Sequence, residues 1–263
     1  MYGVDFSGAR DAGQRIWLAR GSIEENSLEV LDLFQAESLP GSGRERGLSH
    51  RALVSFIGEQ EGGIFGLDFP FSLPQDLLWG ESWEEFALTF EKVYKSPEDF
   101  REGCRSAASG KESKRNTDSI ARTPFSPYNL RLYRQTYFGI RDVLASLVRD
   151  DAACILPMQQ PLEAKAWVLE ICPASTLTRE QLPTSYKGRT PTRRTARITI
   201  LQALEKRLQL RVATSVIRSN IVEDCGGDAL DSVIAALATF RSFRNAFALD
   251  AAFPYHREGW VYV

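Results

Sequence analysis

"GGIFGLDFPFSLP", residues 62–74, decides how this chain folds. Ile64-Phe65-Gly66-Leu67 reads as a buried strand, yet it delivers Asp68 straight into Phe69-Pro70-Phe71. An unpaired carboxylate among such neighbours loses hydration, which costs several kcal/mol or keeps it protonated. Asp68 therefore either escapes to solvent at a strand end or meets a positive charge.

Upstream, "MYGVDF", "RIWLAR" and "SLEVLDLF" within residues 1–34 are β-rich runs punctuated by Gly8, Gly13, Gly21 and Asn26. Spacers this short predict an antiparallel three-strand meander, since parallel neighbours need a crossover. A helix is expected from about Gly47 to Glu59, with Leu48, Leu53, Phe56 and Ile57 on its buried face. The strand of Asp68 follows.

Downstream, "SWEEFALTFEKVY" and "SPEDFREGCR" predict acidic amphipathic helices with N-caps at Ser82 and Ser96. "NLRLYRQTYFGIRDVLASLVRD" reads as one long helix, and residues 105–127 as a polar, basic loop without periodicity. Strand patterns return at "AACIL" and "AKAWVLEIC". An arginine-rich helix is expected over about Pro191 to Leu208, a last long helix from "GGDALDSVIAALATF", and a closing strand at "GWVYV". This order predicts an α/β fold: one domain over residues 1–263, a mixed sheet flanked by helices, with a helical insertion at about 75–150.

Composition sets the outer bounds. The 263 residues are 43% hydrophobic and 25% charged, as in ordinary globular proteins. A net charge of -2 gives no global attraction to nucleic acid or membrane, so a polyanion site must be a local patch. Cys104, Cys154, Cys172 and Cys225 are scattered without a C-x-x-C pair, which favours free thiols over a disulfide framework or zinc knuckle. With no basic-then-apolar leader and no long apolar run, a cytoplasmic location is expected. Nothing in the sequence marks an obligate protein partner.

Three acids stand at or near strand ends: Asp5 in "YGVDFSG", Asp68, and Glu170 in "WVLEICP". Asp228 and Asp231 are three apart at the start of the last helix and share a face. Taken singly, Asp5 suits an Asx-turn, Asp228 an N-cap, Asp231 a first-turn charge, and Glu170 a solvent-facing position. Taken together they suggest a cluster: adjacent strands lie about 5 Å apart, so Asp5 and Asp68 converge if their strands are neighbours. Clustered carboxylates repel unless they bind a hard cation, and oxygen ligands suit Mg²⁺ or Mn²⁺. Two such ions, roughly 3.5–4 Å apart, clamp the oxygens of a phosphoryl displacement.

The motifs "GVDFSG", "GLDFPFSLP", "EICPASTL", "YKG", "DALDSVIAALA" and "EGWVYV" resemble, in combination and in order, the domain-of-unknown-function family 429. That family is regarded as predicted nucleases with a ribonuclease H-like fold. The resemblance implies a first-strand aspartate, a fourth-strand acid and late-helix acids as metal ligands: Asp5, Asp68, Asp228 and Asp231. The late D-x-x-D pair is similar to that of Holliday-junction resolvases. Glu170 matches a family motif without a settled counterpart in the metal site. The implied activity is divalent-metal-dependent hydrolysis of DNA or RNA, with Glu170 as a further catalytic candidate.

"YKGRTPTRRTAR" carries Lys187, Arg189, Arg193, Arg194 and Arg197 with no acid between Tyr186 and Arg197. It reads either as a solvated basic face or as a phosphate-binding rim, with Lys187, Arg193, Arg194 and Arg197 on substrate. Arg105, Lys111, Lys114, Arg115 and Arg122 would extend that rim. "PGSGRERG" at 40–47 fits no phosphate-loop pattern. His50 and His256 have no ligand spacing, and a Ser–His–Asp triad would require Ser7 or another serine to meet one of them. Two alternatives remain: a phosphotransferase or ATPase of the actin and sugar-kinase superfamily, and a binding module with a remnant site. "DFPFSLP" lacks the glycines of a second phosphate loop, which disfavours the phosphotransferase.

Overall fold

The computed structural model describes residues 1–249 and 255–263. Strands β1 (Tyr2–Asp5), β2 (Trp17–Glu24) and β3 (Ser27–Gln35) form the expected antiparallel meander. Strand β4 (Ile64–Leu67) lies parallel to β1 on its other side. Next come β5 (Ala153–Leu156) and β6 (Ala166–Ile171), where β6 pairs with both β4 and β5 in parallel. Strand β7 (Leu210–Val212) extends the sheet beyond β3, and β8 (Val261–Tyr262) pairs with the end of β6. The fold is α/β, with a mixed eight-stranded sheet flanked by helices. Every residue of β1 and β4 is buried, as parallel strands covered on both faces must be.

One face carries α1 (Arg46–Gly58) and the insertion between β4 and β5. The insertion comprises α2 (Trp83–Val93), α3 (Pro97–Ala107), α4 (Asn116–Ala121), α5 (Tyr133–Phe138) and α6 (Ala145–Arg149). The Ser82 and Ser96 hydroxyls accept the N–H groups of Glu85 and Asp99 at 3.1 and 3.0 Å, caps worth about 1 kcal/mol each. Two expectations need correction. The long helix starts only at Tyr133 and widens into a π segment, Gly139–Leu144, between α5 and α6. The supposed loop at 105–127 contains α4 and, beside it, a completely buried Arg115.

The other face carries α7 (Pro173–Arg179), α8 (Pro191–Arg207), α9 (Ser215–Glu223) and α10 (Asp228–Arg244). A last short helix, α11 (Tyr255–Glu258), precedes β8. Helix α10 is buried continuously from Ala229 to Phe240, and two glycines let it lie against the sheet. Gly3 of β1 and Gly66 of β4 are register partners. A Cβ at Gly3 would sit 2.1 Å from the Ala236 nitrogen, and one at Gly66 2.0 Å from the Thr239 hydroxyl. The helix thus runs back along β1 and β4, which brings its first turn to the ends of both strands. Among the described residues, no helix is long and apolar enough to cross a membrane.

Candidate active site

The parallel register Val4↔Leu67 places Asp5 and Asp68 side by side just past their strands, and the Asp68 N–H continues the ladder to the Val4 carbonyl at 3.0 Å. The aromatic neighbours of Asp68 pack largely into the core. Phe69 and Phe71 are buried, and Phe69 packs between the rings of Phe6 and Phe71. Asp68 instead faces a cleft of about 370 Å³ that it shares with Asp5, Asp228, Asp231, Tyr186 and Lys187. A larger cavity, about 760 Å³ and lined by Arg122, Arg179, Arg241 and Trp260, lies elsewhere. Size alone does not mark the site; the convergence of titratable groups does.

Gly227 shapes the cleft's other wall. Its φ of +79° is one that L side chains rarely adopt, and a Cβ there would meet the Tyr186 ring at 2.9 Å and Lys187 Cγ at 3.0 Å. With glycine in place, Tyr186 and Lys187 close against the start of α10. The Tyr186 hydroxyl donates to Asp231 Oδ1, and the Lys187 ammonium lies 2.8 Å from Asp231 Oδ2 and 3.3 Å from Asp228 Oδ1.

The electrostatics follow from burial and crowding. Asp5 and Asp231 are only 7% and 3% exposed. Burial first, then the Asp231 charge, pushes Asp5 well above the carboxylate range, with Lys187 opposing. The same two causes push Asp68 up to about 8. Asp231 and Asp228 are raised by burial, against the pull of Lys187. Partial burial would lower the Lys187 ammonium, but Asp231, Asp5 and Asp228 outweigh it and hold the group above its ordinary value. No described residue donates a hydrogen bond to the carboxylate of Asp5 or Asp68.

Carboxylate oxygens that receive no hydrogen bond from a described residue suit a hard divalent cation by chemistry. Their spacing is a separate matter. Among the described residues no group of three or more His, Cys, Asp or Glu side chains is arranged to hold a metal ion. The cation within ion-pairing distance of Asp228 and Asp231 is the Lys187 ammonium.

The other expected site residues divide sharply. Glu170, the last residue but one of β6, lies near Asp68 but is 3% exposed and heavily engaged. Its two oxygens accept from both terminal nitrogens of Arg115, and Oε2 also takes the Phe71 N–H at 2.9 Å. Glu170 lines the same cleft, and Arg115 and the Phe71 amide hold its carboxylate in place there. Arg115 itself is corrected from phosphate rim to buried strut, since it also binds Asp118 and the Glu258 carbonyl.

The basic run splits as well. Only Lys187 lines the cleft. Arg193 donates to Ser185, and Arg194 pairs with Glu223, with Nε at 2.9 and 3.1 Å from its two oxygens. Arg197 is 1% exposed and gives its guanidinium to the carbonyls of Val222, Tyr186 and Gly188. Phosphate cannot reach it, so its assignment to substrate is corrected. His50 lies between Asp142, at 2.9 Å, and the backbone carbonyl of Ser7, at 3.0 Å. The Ser7 hydroxyl accepts the Ala9 N–H instead, and no triad forms.

Fold and cleft together define an α/β protein with a crowded carboxylate site at the ends of two parallel strands. No protein-family model, curated protein or solved structure matches the chain.

Proposed function

We propose that this protein is a divalent-metal-dependent nuclease of ribonuclease H-like fold that hydrolyses phosphodiester bonds in DNA or RNA with Mg²⁺ or Mn²⁺. The observation that carries the reading is the meeting of Asp5, Asp68, Asp228 and Asp231 in one cleft from three distant parts of the chain. The strand order supports the fold assignment: a meander β1–β2–β3, with β4 parallel to β1 and β6 parallel to β4. The motifs resembling family 429 fall on this cleft, where "GVDFSG", "GLDFPFSLP", "YKG" and "DALDS" supply its acids and its lysine.

Asp5, Asp68, Asp231 and Asp228 would hold the metal, which when bound activates water and stabilises the leaving oxygen. Tyr186 fixes the orientation of Asp231 through its hydroxyl. Lys187, with its side chain 52% exposed, offers a positive charge at the mouth of the cleft for a substrate phosphate. Phe69, Pro70 and Phe125 also line the cleft and give it an apolar side.

The test is cleavage of a mixed panel of single- and double-stranded DNA and RNA with Mg²⁺ or Mn²⁺. Wild type should cut, while Asp5→Asn and Asp231→Asn should each lose cutting and keep the wild-type circular dichroism spectrum. Wild-type cleavage that persists in excess chelator would rule out the metal mechanism.

A further inference from the structure

The Lys187 ammonium lies between the two acids of α10. It is 2.8 Å from Asp231 Oδ2 and 3.3 Å from Asp228 Oδ1, and Asp5 feels its charge as well. A buried carboxylate cluster needs a positive charge near it to remain ionised. In this arrangement the lysine supplies it, and among the described residues no three acidic side chains close around a common centre.

The loop that presents the lysine is rigid, while the side chain is not. Arg197 Nη1 donates to the carbonyls on both sides of Lys187, Tyr186 at 2.7 Å and Gly188 at 3.0 Å. The Gly188 N–H is bound to the Cys225 carbonyl at 2.8 Å, and Tyr186 is pinned to Asp231 by its hydroxyl. The backbone is thus held from three directions. The four-carbon stem is half exposed, so the ammonium has an open route outward.

We propose that Lys187 is a resident counter-cation of the carboxylate cleft and that a divalent ion binds Asp228 and Asp231 by displacing it. The inference rests on the metal reading above and adds a sign to it. An ammonium and a metal ion compete for Asp231 Oδ2, so the lysine opposes metal binding. Once displaced, its charge lies at the cleft mouth, where a phosphate would arrive. Arg197 is then a positioning residue for Lys187, which explains why an arginine is buried under this loop. A lysine that merely organised the acids would have the opposite effect, because its loss would scatter the ligands.

Titration calorimetry with MnCl₂ and MgCl₂ separates these cases. Lys187→Met should bind Mn²⁺ more tightly than wild type, by roughly tenfold, the factor that one modest ion pair supplies. Lys187→Arg should retain wild-type affinity. Equal or weaker binding by Lys187→Met, with wild type binding normally, overturns the inference and leaves the metal site standing. Absence of binding in every form overturns both. A second measurement needs no variant: acetylation of Lys187 by an amine-reactive ester, followed by mass spectrometry of the wild-type protein. Saturating Mn²⁺ should increase labelling of Lys187 several-fold over chelator, because the freed amine is more nucleophilic. Labelling that is unchanged or reduced by Mn²⁺ would also overturn the displacement.

Discussion

Two acidic clusters stand side by side at one end of the sheet, and they are built in opposite ways. Near the end of β6 stands Glu170, whose register partner on β4 is Leu67, the residue just before Asp68. Around Glu170, donors saturate the acids. Asp118 accepts from the Arg115 backbone and guanidinium, Glu170 from Arg115 and Phe71, and Glu258 from the Gln75 and Asn116 amides at 2.8 Å each. Around Asp68, four acids share one lysine and one tyrosine, and two of the carboxylates receive no hydrogen bond from any described residue. What separates strut from site is whether the lone pairs are already taken.

The saturated cluster should break most heavily. It joins the insertion, the end of β6, the loop after β4 and the C-terminal helix through a single guanidinium with no exposed surface. Arg115→Met would leave Glu170 and Asp118 buried without their cation, at a cost of about 3–5 kcal/mol in urea unfolding. Arg115→Lys should recover little of this, because a point charge cannot reproduce the forked contacts to two carboxylates. A loss under 1 kcal/mol for Arg115→Met would mean that the two clusters do not differ as described.

The unsaturated cluster should respond with the other sign. Burial and the Asp231 charge push Asp68 up to about 8 in the folded protein, against 3.8 as its ordinary value. The folded state therefore holds this proton more tightly than the unfolded chain does. The stabilisation is fully present below the unfolded value and is lost as pH rises through about 8. In chelator, Asp68→Asn should match wild type in thermal melts below about pH 4, gain on it progressively as pH rises to about 8, and hold a constant advantage above that. With millimolar Mg²⁺ or Mn²⁺ the order should reverse, since a ligand that binds only the folded state stabilises it and the amide loses part of that gain. If Asp68 were instead a turn-forming residue, its loss would cost about 1 kcal/mol with no dependence on metal.

Much of this contrast can be read in the chain, and the unreadable part has a physical cause. The meander, α1, α8, α10 and the two serine caps follow from local periodicity and capping chemistry. Asp5 and Asp68 announce themselves as acids at the ends of fully apolar strands. The three-residue β7 and the seven-residue α7 are too short to carry a period. Arg115 was hidden by its surroundings: polar neighbours on both sides make it look solvated, while its burial depends on Glu170, 55 residues away. Arg197 was hidden likewise, because a basic run does not reveal which of its members turns inward. The short Tyr186-Lys187-Gly188 signal gave Lys187 as a phosphate ligand but not its contact with the acids of α10, which depends on the space left by Gly227.

The smallest expected effect lies within the basic run and tests its division directly. Arg194 and Glu223 pair on the outside of α8 and α9, with side chains 50% and 54% exposed, away from the residues that line the cleft. Exposed pairs of this kind contribute little because water screens them and two long side chains must be ordered. Arg194→Gln should therefore leave the melting temperature within error of wild type. It should also leave oligonucleotide affinity and its salt dependence unchanged. Lys187→Gln, at the cleft mouth, should instead flatten the plot of log affinity against log salt by about one unit, the signature of one lost phosphate contact. Both slopes can be taken from fluorescence-anisotropy titrations over a range of salt concentrations. Equal flattening by the two variants would mean that the run from Lys187 to Arg194 acts as one continuous phosphate rim, and that the surface pair with Glu223 opens when nucleic acid binds.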